Sequence, residues 1–236
     1  MYPLVYQNES TSTNDDVLPY LNTLNFGLGL YTFNQTNGRG QYGNHWNIVK
    51  DQNVAYTLAI RTDLFPIEDT LINFCTATTV RSFLANMTQN EVLLKWPNDL
   101  IIHRKKVGGI LIEKKKWNSD FYWIIGIGIN VLQTDFGEIS KAGSLFTQTK
   151  LEVTLQDFAE QLHQNLIFGL EKSNKNEVLE IYNQHLFNRN VVALFERNGV
   201  RQNGIIQYVD EAGFLWVDLE NDGLQKFFNK EIQMCY

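Results

Sequence analysis

Two cysteines in 236 residues, Cys75 and Cys235, supply no disulfide framework, and neither belongs to a C-x-x-C pair. The four histidines are scattered without ligand spacing, which argues against a zinc site. Prolines number four, and neither an internal repeat nor a low-complexity tract occurs, so boundaries are read from changes in hydrophobic period. No apolar run approaches the ~20 residues that span a bilayer; the longest, 121–131, is interrupted by glycines and by Asn130. No Lys or Arg precedes Arg39, so the start resembles neither a secretory signal nor a transit peptide, and a cytoplasmic protein is expected. The motifs G-x-x-x-x-G-K-S/T, G-x-S-x-G and H-E-x-x-H are missing, which sets aside P-loop phosphate transfer, α/β-hydrolase chemistry and zinc proteolysis.

What is present is ordinary globular composition, 44% apolar and 19% charged, with a net charge of −6. That overall field disfavours a general binder of nucleic acid or anionic membrane. The average hides an inversion. Residues 95–116 hold seven of the twenty basic side chains and two acids, Asp99 and Glu113, so this window is +5 and the remainder −11. A solvated strand edge is the plainest reading of such a run, and it suits Lys114 to Lys116 best.

Strand patterns at 28–35 and 54–60 flank a polar, glycine-rich segment, 36–47, that is too long for a tight hairpin turn. Helical spacing runs from Asp69 to Met87, strand-like runs cover 91–96, 107–113 and 121–131, and two helices follow, one opened by Thr154 and Asp157 and one over 177–187. From Asn188 the texture becomes short strands separated by Arg197-Asn-Gly199, Asp210-Glu-Ala-Gly213 and Glu220-Asn-Asp-Gly223. An α+β unit over 1–187 and a small β unit over 188–236 are expected, the second too small to be stable without packing on the first.

Gly38-Arg-Gly40-Gln-Tyr-Gly43 matches G-x-G-x-x-G, but Asn44-His-Trp46-Asn47 follows where a dinucleotide site needs a helix. What remains is a loop whose backbone can approach a ligand, with one guanidinium for an anion and one indole for stacking. Lys95-Trp-Pro-Asn-Asp99 sets polar groups at a strand end, a usual place for ligand contacts. Lys106-Val-Gly108-Gly109 opens a strand with paired glycines, which mark a bulge or a close ligand, so Lys106 is a candidate to point into a pocket. Gly126-Ile-Gly128-Ile-Asn130 clears one face of another strand and ends it with a polar tip, with tight packing as the competing reading.

Together with Ser12-Thr13-Asn14, these segments resemble, in order and spacing, the biotin–protein ligases (biotin–[acetyl-CoA-carboxylase] ligases) over nearly the whole chain. The resemblance implies a mixed-sheet core of the class II aminoacyl-tRNA synthetase-like, biotin–lipoate ligase type and a small C-terminal SH3-like β-barrel. It implies biotin and MgATP as substrates, a biotinyl-5′-AMP intermediate, and transfer to a lysine of biotin carboxyl carrier protein. It implies Lys106 and Arg39 as catalytic. Ser12, Thr13, Asn14, Gln35, Arg39, Gly40, Gln41 and Lys106 would meet biotin; Gly38, Arg39, Trp46, Asn98, Asp99 and Asn130 would meet the nucleotide and its magnesium.

Two departures stand out. Gln41 and Asn44 occupy positions where many relatives carry arginine. Residue 12 also leaves no room for the DNA-binding domain that precedes this junction in bifunctional relatives, so a DNA role is not expected. A monomer or a homodimer is compatible with the family. The alternatives are a relative that transfers lipoate or octanoate, and a catalytically silent biotin- or nucleotide-binding module.

Overall fold

The computed structural model describes residues 2–46, 48–64, 67–69 and 71–235, with backbone alone at 175 and 176. Asn47 and Thr70, which fall in the expected loop and helix, lie outside the described residues. β1 (Leu4–Tyr6) leads to a short helix α1 (Thr13–Asp16) and a 3-10 turn, Leu18–Asn22. Then come β2 (Gly27–Thr32), β3 (Gly38–Arg39), β4 (His45–Trp46), β5 (Asn53–Arg61) and α2 (Leu71–Thr88). β6 (Leu93–Lys95), β7 (Asp99–Ile102), β8 (Lys105–Trp117) and β9 (Asp120–Asn130) follow. Helices α3 (Leu145–Thr149), α4 (Leu155–Lys172) and α5 (Lys175–Gln184) precede β10 (Val192–Arg197), β11 (Val200–Val209), β12 (Leu215–Leu219), β13 (Gly223–Phe227) and β14 (Gln233–Cys235).

Seven strands form one sheet in the order β1-β2-β5-β9-β8-β7-β6. Its first pair is parallel and the others are antiparallel, so the sheet is mixed. Strand alternation divides its two faces. Tyr56, Leu58 and Ile60 of β5 and Ile125, Ile127 and Ile129 of β9 join the main core with residues of α2 and α4. On the opposite face Leu28, Leu30, Ala59 and Ile124 pack under Val17 and Leu21 of the N-terminal turn. That second cover is short and leaves the rest of the face open toward the glycine-rich loop.

The helix opened by Thr154 runs as expected, with the Thr154 hydroxyl accepting from the Asp157 backbone N–H at 3.1 Å. β2 stops at Thr32, short of the expected Gln35, because the Thr32 hydroxyl accepts the Asn34 N–H at 3.0 Å and turns the chain. Gln35 rejoins through a parallel bridge to Ser10. Within the glycine-rich segment, expected as a loop too long for a tight hairpin turn, Gly38–Arg39 pair with His45–Trp46, Gly38 opposite Trp46. β1, β7 and α3 carry no periodic signal of their own; α3 is held by a capping box between Ser144 and Thr147.

The five-stranded sheet, ordered β13-β12-β11-β10-β14, is antiparallel throughout. All three Gly- and Asn/Asp-bearing turn signals fall at the turns that join its strands, with Arg197 closing β10 and Gly223 opening β13. Its inward residues, among them Phe195, Ile206, Val209 and Phe227, belong to the main core, as expected for a unit this small. Asn183 of α5 secures it by exchanging two hydrogen bonds with Val209, at 2.9 and 2.7 Å.

His163 of α4 ties three elements together. Its Nε2–H donates to the Tyr2 carbonyl at 2.9 Å and its Nδ1 accepts the buried Tyr56 hydroxyl at 2.7 Å, which defines a neutral tautomer. Burial pushes the imidazole below its ordinary pKa, against the Tyr2 carbonyl that favours the charged ring. The unfolded chain therefore takes up a proton that the native state refuses. The contribution is fully present above about pH 6.5 and is lost as pH falls toward the lowered native value. Urea unfolding at pH 7.5 and 5.5 checks this: His163→Gln should flatten the pH dependence, and equal slopes in the two proteins would refute it.

Candidate active site

A cavity of about 250 Å³ opens on the uncovered sheet face, between α1, the β3–β4 loop, the β6–β7 turn and the turn after β13. Its floor is β9. A Cβ at Gly126 would fall within the Asn14 amide, and one at Gly128 would fall within the Trp46 indole. The alternating glycines expected to clear a face therefore admit one side chain from α1 and one from β4.

Lys106 reaches this face through a backbone irregularity. β7 pairs Leu100 with Gly108 but Ile101 with Lys106, leaving Val107 as an extra residue in β8. Simple alternation would turn Lys106 toward the helices. The bulge instead puts its ammonium on the same side as Gly109, 5.4 Å from the centre of the Trp46 ring. Lys106 Nζ lies 2.6 Å from Asp99 Oδ1, and Lys95 Nζ lies 3.3 Å from Asp99 Oδ2. Lys95-Trp-Pro-Asn-Asp99 is thus a tight β6–β7 turn that brings two cations to one carboxylate.

At the other end the groups are neutral donors and acceptors. Gln35 Oε1 accepts the Thr13 N–H at 2.9 Å and the Thr13 hydroxyl at 3.2 Å. The Thr57 hydroxyl, fully buried, lies 2.8 Å from the Thr13 hydroxyl and 2.7 Å from Asn14 Oδ1. Ser12, Thr13 and Asn14 are all buried at this junction and line the cavity.

Arg39 forms a fork on Glu113, at 3.1 and 2.9 Å, and also reaches Asp15 at 2.9 Å. Asn14 donates to Glu113 at 3.0 Å, and Lys115 joins Asp15 at 2.7 Å. Partial burial works to raise the Asp15 carboxyl, but Lys115 and Arg39 outweigh it and hold it below the ordinary aspartate range. The two cations and two carboxylates of this cluster balance at neutral pH. Lys115 is therefore part of the loop's anchor, which corrects the reading of Lys114 to Lys116 as one solvated strand end; Lys114 itself pairs with Asp69 at 2.9 Å.

The structure brings Ser12, Thr13, Asn14, Gln35, Arg39, Gly40, Gln41, Trp46, Asn98, Asp99 and Lys106 to one cavity. Gly38 and Asn130 stand behind that lining. Gly38 lets the Trp46 carbonyl and the Gln35 amide close onto the β3 backbone. The Asn130 amide donates to the Gly143 carbonyl at 3.0 Å, and the Gly143 N–H in turn bonds the Lys106 carbonyl at 3.0 Å. Asn98 lines the cavity while its amide donates to the Ile110 carbonyl at 2.8 Å. Sequence reasoning missed Asp15 and Glu113. The parity of β8 carried the signal for Glu113, since Gly109, Leu111, Glu113 and Lys115 alternate onto one face. Asn229 and Lys230, which also reach the cavity, carried no such signal.

Among the described residues, no three His, Cys, Asp or Glu side chains converge to hold a metal ion. Also among them, no helix is long and apolar enough to cross a membrane.

Residues 5–130 match the Biotin/lipoate A/B protein ligase family, and the chain belongs to that family. It is 26% identical over 230 residues to the Bifunctional ligase/repressor BirA of Escherichia coli (strain K12), covering 91% of this chain and 68% of that protein. It is 28% identical over 123 residues to the Biotin--[acetyl-CoA-carboxylase] ligase of Paracoccus denitrificans, a match covering 51% of each. The fold is that of a Biotin protein ligase from Aquifex aeolicus solved in complex with biotin and ATP, with a TM-score of 0.76 at 22% identity over 100% of this chain and 99% of that one.

Proposed function

We propose that this chain joins biotin to a lysine of a biotin carboxyl carrier domain in two steps, through biotinyl-5′-AMP. The observation that carries the reading is a single cavity with a neutral hydrogen-bonding end at Thr13, Asn14 and Gln35, beside which Arg39 is held on Glu113 and Asp15, and a cationic end where Lys95 and Lys106 share one carboxylate. A ureido ring needs the first and an acyl phosphate the second. The names of the Escherichia coli and Paracoccus denitrificans relatives support it.

In the first step a biotin carboxylate oxygen attacks the α-phosphorus of ATP, forming one P–O bond as the bond to the β-phosphate breaks and pyrophosphate leaves. Two anions must meet, so the positive charge of Lys106 and Arg39 and the backbone N–H groups of the β3–β4 loop are what this step requires. Mg enters as MgATP, held by the phosphates it travels with. Trp46 walls the alkyl chain and adenylate, and Asn98 and Asp99 border the nucleotide. Gly38 and Asn130 act by holding Trp46 and the 141–143 segment in place. In the second step a neutral lysine amine of the carrier attacks the biotinyl carbonyl, AMP departs with the bonding pair, and the nitrogen gives up one proton to solvent as the amide forms. The loop that covers the adenylate also shields it from water.

The proposal includes a catalytic unit over 1–187 with a β unit over 188–236, a cytoplasmic location and no DNA partner. Pyrophosphate release that requires both biotin and MgATP tests the adenylation step, and release without biotin, or none at all, would refute it. Gln41 bears on how long the adenylate stays. With one arginine in the loop, retention rests on Arg39 and Lys106, so Gln41→Arg should slow adenylate dissociation. Stopped-flow or filter-binding measurement of that rate checks it, and unchanged or faster release would count against the charge argument.

A further inference from the structure

Four Lys or Arg residues line the described cavity, and three of them are held on carboxylates: Arg39 on Glu113 and Asp15, Lys95 and Lys106 on Asp99. The fourth, Lys230, comes from the turn after β13 in the second sheet. Its ammonium touches the Tyr42 carbonyl at 3.1 Å and lies 4.9 Å from the Tyr42 ring centre; among the described residues it pairs with no carboxylate. The neighbouring Glu231 is turned away from it, accepting the Phe228 N–H at 2.7 Å. Asn229 binds the same loop, donating to Gln41 Oε1 at 3.0 Å.

Lys230 also occupies a left-handed backbone position, φ 71, that glycine or asparagine fills at lower cost. The loop it touches contains one guanidinium, already shared between two acids. A triphosphate entering this cavity needs positive charge that is not already neutralised.

We infer that Lys230 is the polyphosphate cation of this site, donated from the second β unit to the β- and γ-phosphates of ATP. It rests on the adenylation reading above and adds a residue and a role to it. As the bond between the α-phosphorus and the bridging oxygen breaks, negative charge passes to pyrophosphate, and Lys230 meets that charge while Lys106 and Arg39 serve the acyl phosphate. The Tyr42 carbonyl and ring hold the ammonium at the rim until the phosphates replace them.

The test compares wild type, Lys230→Asn and Lys230→Arg, with Asn at this position suited to the left-handed backbone. Lys230→Asn should raise the KM for MgATP and the Ki of pyrophosphate by about tenfold, the scale of one charge-assisted contact, and leave the biotin KM within about twofold. Lys230→Arg should keep both near wild type. Adding Asn44→Arg to Lys230→Asn should recover most of the loss, because it returns a cation to the loop. Unchanged MgATP and pyrophosphate constants in Lys230→Asn would overturn the inference. So would biotin and MgATP constants that rise together, which would make Lys230 a pin for the loop. If wild type itself releases no pyrophosphate from biotin and MgATP, the adenylation reading falls first and the inference with it.

Discussion

Lys106→Ala should lower biotinyl transfer at least ~10²-fold, the scale lost when one preorganised charge is removed from a developing oxyanion. The Lys106 side chain is 34% exposed, yet held by Asp99, Trp46 and the bulged start of β8, so it needs little reorganisation to meet a phosphate. Its removal subtracts a cation and leaves Asp99 answered by Lys95 alone. Both effects act on the same step. Single-turnover adenylation should fall with transfer, while the melting temperature should change little because the side chain lies outside both hydrophobic clusters. Near-normal turnover in folded Lys106→Ala would remove it from the chemistry.

Arg39→Ala should cost at least as much, ~10²-fold or more, for a further reason. The guanidinium neutralises Glu113 and Asp15, and without it two carboxylates beside the cavity lining are left with Lys115 as the remaining cation of the cluster. The variant therefore loses an attraction and gains a repulsion toward phosphate. Restoring part of the activity with Arg39→Ala/Glu113→Gln would confirm the second term, since that double variant has one carboxylate fewer. No recovery, with both proteins folded, would assign the whole loss to the missing guanidinium.

The fold was legible wherever a local period was strong. α4 repeats Leu155, Phe158, Leu162 and Leu166 on its buried face, and the turns of the second sheet follow their Gly and Asn/Asp signals. Weakly patterned pieces were not legible: β1 has three residues, and α3 depends on a capping box between two hydroxyls. The site divides in the same way. Glycines at 126 and 128 and the lysine before Gly108 marked a cleared face, because space for a ligand or a neighbouring ring must appear as a missing Cβ. The direction of Lys106 depended on a one-residue bulge that composition suggests but does not locate. Contacts across the chain were out of reach of pattern: Arg39 meets Glu113 74 positions away, and Gln41 meets Asn229 188 positions away.

The mass of an acceptor domain decides whether this chain is a biotin ligase. A biotin carboxyl carrier domain incubated with this protein, biotin and MgATP should gain one biotinyl group on one lysine, and should gain none when biotin or ATP is omitted. A lipoyl domain in parallel should stay unmodified. An unmodified carrier domain, with the same preparation verified as an acceptor for another ligase, would rule out biotin ligation by this chain, as would modification of the lipoyl domain in its place.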